Sequence, residues 1–552
     1  MDKGSYSIKV GKRAFFLAFG IILTLMIVSG ILTRTVPAGA YDRTVVDGRE
    51  VVVPGSYQEV PAPDYPAWRW ASAPVEVLFA PGNIAVITII LFLIFVGGAF
   101  TILEQGGILQ AGLGALAAAL GRRRYLLMAI IIFVFMFLAA VLGIYEAMVP
   151  LIVFVIPLSH MLGWDSMVGL GMSLLPLAFG FSAAVTNPFT IGVAQTIADL
   201  PLFSGAWLRI IFFIAIYVAV LLFVRRYAKR IERQPTSSLV YDEDVPLRSR
   251  YRDSPGARHG DPEAPQPQAP GASSAAPNPA GGGETVPGGE TTPGGAPPSH
   301  PASGGAHTNA AQPARWAEGA AAASSSAARL ALPMRRALIW FGVAMGIAIL
   351  FILVTSRMPG LSDLAFPLMA LLLFIGGVGA GALSGMGGKK IAATFGRGVL
   401  NISPGILLIL MSMSVKHIVE SGGIMDTILY RAGGLIAGQP PLVAAFLVFV
   451  VTLVMNFFVG SASAKAFLMM PILTPLADLV GITRQTAVFA FGIGDGFSNM
   501  MYPSNALLII ALGFSVATYP KWMRWTIGLQ GIVFVVSMAF LAFAAVIGFG
   551  PF

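Results

Sequence analysis

The chain has 552 residues, of which 56% are hydrophobic and only 11% are charged, and its mean hydropathy is +0.78. So much apolar surface excludes a soluble core and indicates a protein that crosses a membrane several times. The formal net charge of +9 does not indicate nucleic-acid binding, because the basic residues lie beside apolar runs, where they set orientation. The absence of cysteine excludes disulfides, thiol catalysis and cysteine metal sites.

The first apolar run, residues 15–33, follows Lys9, Lys12 and Arg13 and is long enough to span a membrane. We interpret it as a retained helix rather than a cleaved signal peptide, with the N-terminus in the cytoplasm. Residues 34–84 contain turn-forming stretches and the strand-like VVDGREVVV, which predict a small external hairpin or lid.

Basic residues predict the course of the rest of the first half, which ends at residue 235. An inward span is followed by a hairpin with its joint at GIYE, an outward span broken at SAAVTNPFT, and an inward span. Their ranges are 84–103, 125–142 with 147–162, 167–203, and 207–224. The arms of the hairpin are near the lower length limit for a span, which favours a re-entrant hairpin.

Residues 236–333 are predicted to be a disordered cytoplasmic linker. Pro, Gly, Ala and Ser dominate this stretch, so it cannot bury enough apolar area to offset its ordering entropy. Basic stretches on both sides, VRRYAKRIER and MRRALIW, place it in the cytoplasm. The predicted domains are therefore a first membrane repeat over 1–235, this linker, and a second membrane repeat over 334–552.

The second half is predicted to contain three spans, a second hairpin with its joint at VGSASAK, a span broken by GIGDGFSNMMYPSN, and a last span. Their ranges are 337–356, 363–385, 401–417, 441–480, 483–520 and 526–548. The whole chain then makes nine crossings and two hairpins. We expect an integral protein of a bacterial-type cytoplasmic membrane.

An internal repeat supports this organisation. ILEQGGIL (102–109) resembles IVESGGIM (418–425), and the broken stretches FSAAVTNP (181–188) and FSNMMYPSN (497–505) follow at a nearly constant offset. In the predicted topology the two Gly-Gly motifs lie on opposite sides of the membrane, so the repeats are inverted. Inverted repeats with broken helices at matching places point to a transporter site near the membrane midplane.

Breaks in a membrane helix leave backbone groups that need partners, so they survive where protein, water or a ligand supplies them. Half-helix N-termini favour an anion, and loose carbonyls with Ser, Thr and Asn oxygens favour Na⁺. We expect glycines to permit the turns at these breaks, and Pro188 and Pro503 to end the first half-helices. We therefore expect four breaks to enclose a substrate. The predicted substrate-binding residues are Tyr145, Glu146, Thr186, Asn187, Pro188, Thr190, Ser461, Ser463, Lys465, Asn499, Pro503, Ser504 and Asn505.

The predicted ion-coupling group is centred on Asp495, because a carboxylate in mid-membrane needs a cation or proton. Its other members are Gly494, Asn187 and Asn499, and a Na⁺ ion would lie near Asn187, Ser461, Asp495 and Asn499. A salt bridge that changes during transport is part of the same expected role for Asp495, and the alternative is a static pair with Lys465. Glu146 either binds a cationic amino group, couples protons or only orients a neighbour, and Lys465 either receives a carboxylate or only orients one.

Two other functions match parts of the sequence. GIGD matches the G-x-G-D signature of intramembrane aspartyl proteases, but that chemistry needs a second membrane-embedded carboxylate. The two Tyr-Asp pairs, Tyr41-Asp42 and Tyr241-Asp242, lie outside the apolar runs. An ion or solute channel is the other alternative, although a pore has no evident need for paired hairpins. No further enzyme motif stands out.

Residues 183–205 and 460–505 closely resemble YfcC-type carriers of the anaerobic four-carbon dicarboxylate carrier family, within the ion transporter superfamily. The resemblance covers nearly the whole chain except 236–333. It implies a homodimer whose mobile transport domain moves substrate by an elevator motion driven by Na⁺ or H⁺. Similar proteins are labelled basic amino acid or arginine/ornithine antiporters, a label that Glu146 suits and Lys465 does not.

The predicted fold is thus all-α and polytopic, with inverted repeats, two re-entrant hairpins and two broken transmembrane helices, as in elevator-type carriers. The predicted function is secondary active transport of a small carboxylate-bearing solute, a dicarboxylate or an amino acid. Transport is coupled to Na⁺ or H⁺ or works by exchange. The expected partners are this solute, membrane lipid and a second copy of the chain, with no cofactor besides Na⁺.

Overall fold

The structure is a computed structural model that describes residues 12–46, 49–80, 84–120, 123–145, 148–252, 332–355 and 362–550. One unit comprises Met1–Arg258 with Ala322–Phe552, and its described part contains every element below. Glu146 and most of the predicted linker lie outside the described residues.

The described part of the chain is mostly helical, as the sequence predicts. The helices of the first half are α1 Lys12–Thr35, α2 Arg69–Phe79, α3 Ile84–Gln105, α4 Ile108–Leu120, α5 Arg124–Phe137, α6 Val149–Met161, α7 Ser166–Ala183, α8 Val193–Ile197, α9 Ala206–Arg233 and α10 Val245–Arg252. Two stretches of π-helix, Leu138–Leu142 and Pro188–Gly192, adjoin α5 and α8.

The described part of the second half is also mostly helical. Its helices are α11 Leu332–Thr355, α12 Ser362–Leu383, α13 Gly388–Ser421, α14 Met425–Ile436, α15 Pro441–Phe458, α16 Ala462–Val480, α17 Arg484–Phe497, α18 Ala506–Gly513 and α19 Tyr519–Val546. A 3₁₀ turn, Ser498–Met500, follows α17.

Nine helical stretches within the ranges given above are long and apolar enough to cross a membrane, and one of them is the broken stretch Ser166–Ile197. They include α5 together with the π-helix that follows it, α15 and α16, which the sequence assigned to hairpins, so length and apolarity alone do not separate hairpin arms from full spans. The bent pair α3 and α4, which meet at 77°, adds a further candidate. These helices make the chain an integral membrane protein.

The hairpin predicted within residues 34–84 is present. Strands β2 (Arg43–Val46) and β3 (Arg49–Val52) pair antiparallel, while β1 (Gly39–Ala40) pairs with β4 (Gln58–Glu59). Contacts with α14 hold this segment in place. The Arg43 guanidinium lies 2.8 Å from the Asp426 carboxylate, and the Tyr57 ring stacks on Tyr430 with centroids 4.0 Å apart.

The same order of elements occurs in both halves. A long helix ends at a Gly-Gly motif, a shorter helix follows, and then come the two helices assigned by sequence to a hairpin, a broken helix and a final long helix. The second glycine of each motif, Gly107 and Gly423, has a positive φ of 72° and 67°. A side chain would strain that backbone, so glycine is required for both sharp bends.

Residues 236–252, which the sequence assigned to the linker, are folded against the membrane helices. The Asp244 carboxylate accepts hydrogen bonds from the Ser166 backbone N–H at 2.8 Å and the Ser166 hydroxyl at 2.6 Å. The Ser238 hydroxyl donates to the Asp165 carboxylate at 2.7 Å. The folded part of the first half therefore extends to Arg252. Asp244 and Asp165 are buried at the start of α7, where its free N–H groups favour carboxylates.

Asp244 is expected to make stability depend on pH. Burial raises the pKa of its carboxyl to about 6, against the opposing hydrogen bonds from Ser166 and the charge of Arg248. The folded chain then binds more protons than the unfolded chain between about pH 4 and 6, so stability falls as pH rises through that window. The effect is on the order of 2 kcal/mol.

The measurement is the melting temperature (Tm) in detergent of the unaltered chain and of Asp244→Asn from pH 4 to 7.5. The unaltered chain should gain stability relative to the variant as pH is lowered from 6.5 to 4. Glu243→Gln removes a neighbouring exposed carboxylate and should show little pH-dependent difference above pH 5. A pH-independent difference for Asp244→Asn would contradict this prediction.

Candidate functional site

The first predicted break lies between α7 and the π-helix that precedes α8. Helix α7 ends at Ala183, and Ala184 has a left-handed φ of 42°. The sequence expected Pro188 to end the first half-helix, but Pro188 instead begins the second one. Pro188 lacks an N–H and suits a first helical position, while Asn187 accepts from the N–H groups of Phe189 and Thr190 at 2.9 and 3.2 Å.

The joint of the first hairpin packs against this break. The Thr186 N–H donates to the Ala140 carbonyl and its hydroxyl donates to the Val141 carbonyl, both at 3.1 Å. The Tyr145 hydroxyl reaches the Asn499 carbonyl at 3.5 Å, in the other half of the chain. The joint and both broken helices therefore share one region. Glu146, which follows Tyr145, lies outside the described residues.

The second break begins later than the sequence predicted. Helix α17 continues through Phe497, so Asp495 and the three glycines of GIGDGF are helical rather than in a loop. The break covers residues 501–505, after the 3₁₀ turn. Pro503 lies within this break and does not end α17. The Asn505 side chain caps α18 by accepting from the Leu508 N–H at 3.2 Å.

The glycines of α17 allow close helix packing instead of turns. A Cβ on Gly496 would lie 2.0 Å from the Ser182 backbone nitrogen, and one on Gly494 would lie 2.7 Å from the Phe449 carbonyl oxygen. The Ser182 hydroxyl also donates to the Ile493 carbonyl at 2.9 Å. Helix α17 is thus pressed between α7 and α15, which fixes where Asp495 points. Gly494 has a packing role in this arrangement.

Gly496→Ala should therefore destabilise the fold, because the clash is with backbone atoms that cannot rotate away. Overpacking of this kind costs about 1–3 kcal/mol. Thermal unfolding in detergent measures the loss. Gly346→Ala in α11 is the matched control, since a Cβ there meets nothing within 4 Å. Equal melting temperatures for the two variants would show that α7 and α17 are not in close contact.

The centre of the region is a buried ion pair. Lys465 Nζ lies 2.5 Å from Asp495 Oδ1, and the two side chains are 0% and 1% exposed. The Thr190 hydroxyl donates to the other oxygen, Asp495 Oδ2, at 3.3 Å. The structure therefore pairs Asp495 with Lys465, a contact that both the expected role of Asp495 and its static alternative include. A buried pair of this kind requires further hydrogen bonds around both charges.

Asn456, on the first arm of the second hairpin, supplies several of those hydrogen bonds. Its Oδ1 accepts from Lys465 Nζ. Its Nδ2 lies 3.0 Å from the Asp495 carbonyl, 2.7 Å from Ser498 Oγ and 3.0 Å from Asn499 Oδ1. Asn456 is not among the residues predicted from the sequence to form the site. A single polar residue in the apolar run VTLVMNFF was the signal that could have found it.

The remaining predicted residues are distributed around this centre. Asn505 Nδ2 donates to Asn499 Oδ1 at 3.2 Å, and the Ser504 hydroxyl donates to the Phe457 carbonyl at 3.0 Å. The Pro503 carbonyl accepts from the Ser412 hydroxyl of α13 at 2.7 Å. These contacts place the second break against the second hairpin.

Ser461 and Ser463 stand apart from the centre. Ser461 is exposed and caps α16, with its hydroxyl 3.4 Å from the Ala464 N–H. In the part of the chain described above, the side chain of neither serine forms a hydrogen bond with the side chain of Lys465 or Asp495, although the Lys465 backbone N–H donates to the Ser461 carbonyl at 3.0 Å. Both lie in or directly after the short break at residues 459–461.

Arg209, near the start of α9, is a second residue at the site that was not predicted from the sequence. It is 0% exposed, and its Nε donates to the Val185 carbonyl at 3.1 Å, at the first break. Its Nη2 donates to the Phe203 carbonyl at 3.2 Å. Among the described residues, no carboxylate pairs with Arg209, and its buried Nη1 has no hydrogen-bond partner. A charged residue in the run LRIIFF was the available signal.

Asn187 provides a second unused donor at the same break. Its Oδ1 is occupied by two backbone N–H groups, which assigns the other atom as the amide nitrogen. That nitrogen, Nδ2, is buried and lacks a hydrogen-bond partner within the described ranges. Buried donors without partners are costly, so two of them beside one break indicate a place where an acceptor binds.

The geometry defines a class of protein. The joints of the two predicted hairpins and the two broken helices meet around a buried ion pair, and two donors without partners among the described residues lie beside one break. Two-carboxylate protease chemistry has no support, because Asp495 contacts Lys465 and Thr190, and Asp42 and Asp242 are exposed. The arrangement is that of a polytopic membrane transporter and not of an enzyme.

The chain belongs to the C4-dicarboxylate anaerobic carrier family, DcuC, whose model matches residues 15–260 and 317–546. It is 26% identical over 96% of its length, and 96% of the relative, to a protein of Escherichia coli (strain K12) named "Putative basic amino acid antiporter YfcC". It is 22% identical over 89% of its length, and 81% of the relative, to a Haemophilus influenzae protein named "Uncharacterized protein".

Among solved structures, the chain is similar to the YdaH transporter of Alcanivorax borkumensis, with a TM-score of 0.37 and 16% identity over 98% of this chain and 100% of that one. The family assignment confirms the resemblance seen in residues 183–205 and 460–505. Residues 261–316, within the predicted linker, lie outside the family match.

Proposed function

We propose that the protein is a secondary active transporter of a small solute that bears at least one carboxylate, such as a dicarboxylate or an amino acid. The observation that carries this proposal is the buried pair of unused donors at the first break, Arg209 Nη1 and Asn187 Nδ2. A guanidinium without a counter-ion among the described residues and a free amide at the same break both suit a carboxylate, whose two oxygens accept several hydrogen bonds.

The charges around the buried ion pair also favour a solute that bears a carboxylate. Lys465 is neutralised by Asp495, whereas Arg209 has no such partner among the described residues. The N-termini of the helical segments after both breaks, capped by Asn187 and Asn505, also favour a negative charge. An anionic group on the solute would balance this excess of positive potential.

The transport mechanism follows from the repeated order of elements. We propose that the two halves are inverted repeats, that two copies of the chain form a dimer, and that the hairpins and broken helices move together in an elevator motion. The matched Gly-Gly bends at Gly107 and Gly423 support an internal repeat. Membership in a family of carriers favours this mechanism over a channel.

The test is a thermal-shift screen of the purified full chain against dicarboxylates and amino acids, because a bound ligand raises stability by RT ln(1 + [L]/Kd). We expect Tm to rise with at least one carboxylate-bearing solute and not with its amide or methyl ester. Proteoliposome uptake of that solute then confirms transport. Stabilisation only by solutes without a carboxylate would overturn the proposal.

A further inference from the structure

The oxygen atoms around Lys465 resemble the ligands of a small monovalent cation. One carboxylate oxygen of Asp495 and the amide oxygen of Asn456 both contact Lys465 Nζ, and the site is sealed from solvent. An ammonium group carries one positive charge and three N–H donors, so it fills such a position from within the chain. The cation that these two oxygens hold is therefore the side-chain ammonium of Lys465.

The residues predicted to bind Na⁺ do not fit that ion. Asn499 Oδ1 already accepts from the amide groups of Asn456 and Asn505, and Asn187 Oδ1 accepts from two backbone N–H groups. Ser461 is exposed and caps a helix. A Na⁺ ion beside Asp495 would also lie near the ammonium of Lys465, and a like charge at that range is strongly repelled in a buried site.

We propose that Lys465 is a tethered cation that takes the place of a coupling Na⁺, so that this carrier is not driven by Na⁺ at the Asp495 site. The inference rests on the proposed transport function and deepens it, since it leaves exchange or H⁺ as the coupling at this site. If the Lys465 ammonium occupies the place of a cation, its removal should leave a site at which Asp495, Asn456 and Thr190 bind a free cation.

The experiment compares the Tm of the full-length chain in NaCl and in choline chloride at equal ionic strength. The unaltered chain should show no Na⁺-specific shift. Lys465→Ala, and Lys465→Gln as a second variant that keeps more side-chain volume, should gain a Na⁺-specific rise of about 2 °C near ten times Kd. The double variant Lys465→Ala/Asp495→Asn is the control and should lose that response.

A Na⁺-specific rise in the unaltered chain overturns the inference, and so does its absence in both single variants. The unaltered chain gives a further readout that does not depend on any variant. Its uptake or exchange should change less than twofold when choline replaces Na⁺, and a loss of tenfold or more would overturn the inference. Failure of every carboxylate in the ligand screen would count against the transport function, while the ion comparison would still report on the Asp495 site.

Discussion

Asp495→Asn is expected to abolish transport and to destabilise the fold by about 3–5 kcal/mol. The substitution leaves the Lys465 ammonium buried without a counter-charge, and Lys465 is 0% exposed. Breaking one side of a buried pair costs more than the pair itself contributes, because the remaining charge is not solvated. Transport should fail because the same carboxylate also holds Thr190 at the start of the second half of the first broken helix.

The double variant Asp495→Asn/Lys465→Met separates the two effects. With both charges removed, much of the lost stability should return, while transport should remain absent. Thermal unfolding in detergent and proteoliposome uptake measure the two outcomes. Asp478→Asn is the matched control, because the Arg484 and Asp478 side chains are 30% and 47% exposed and pairs in contact with solvent contribute about 1 kcal/mol or less. Normal uptake by the Asp495→Asn variant would show that transport does not require the Asp495 carboxylate.

The interruptions of the membrane helices could be predicted from the sequence because they have local causes. Pro188, Asn187 and Asn505 within apolar runs are turn and capping residues whose effect does not depend on distant contacts. The family resemblance gave the class of protein for the same reason, since it rests on the residues around both breaks. An ion pair between Lys465 and Asp495 was also among the contacts considered from the sequence.

Other features depend on contacts between elements distant in sequence. The glycines of GIGDGF resemble a loop locally, but Gly496 is needed for the approach of Ser182, more than 300 residues away. The sequence of residues 236–252 resembles the start of a polar linker. Only the hydrogen bond of Asp244 to the N-terminus of α7 shows that this segment is folded. Arg209 and Asn456 each appear as one polar residue in an apolar run, and only their neighbours in space show what they do.

Arg209→Met should weaken binding of the carboxylate-bearing solute about 10- to 100-fold, because charge-assisted hydrogen bonds contribute about 1.5–3 kcal/mol each. Methionine keeps much of the side-chain volume and removes the charge and all donors. Arg209→Lys keeps the charge without the planar fork, so its affinity should lie between those of Arg209→Met and the unaltered chain. Titration of the ligand identified by thermal shift measures all three affinities.

A purely structural role for Arg209 makes a different prediction. Its Nε and Nη2 cap the carbonyls of Val185 and Phe203, so Arg209→Met lowers Tm under either role. Only a binding role also lowers the affinity of the folded variant. Arg124→Met is the control, because Arg124 also donates to a backbone carbonyl, that of Leu162, and lies beside Glu232 away from the breaks. If both variants bind the solute as tightly as the unaltered chain, Arg209 is a capping residue and the carboxylate binds elsewhere.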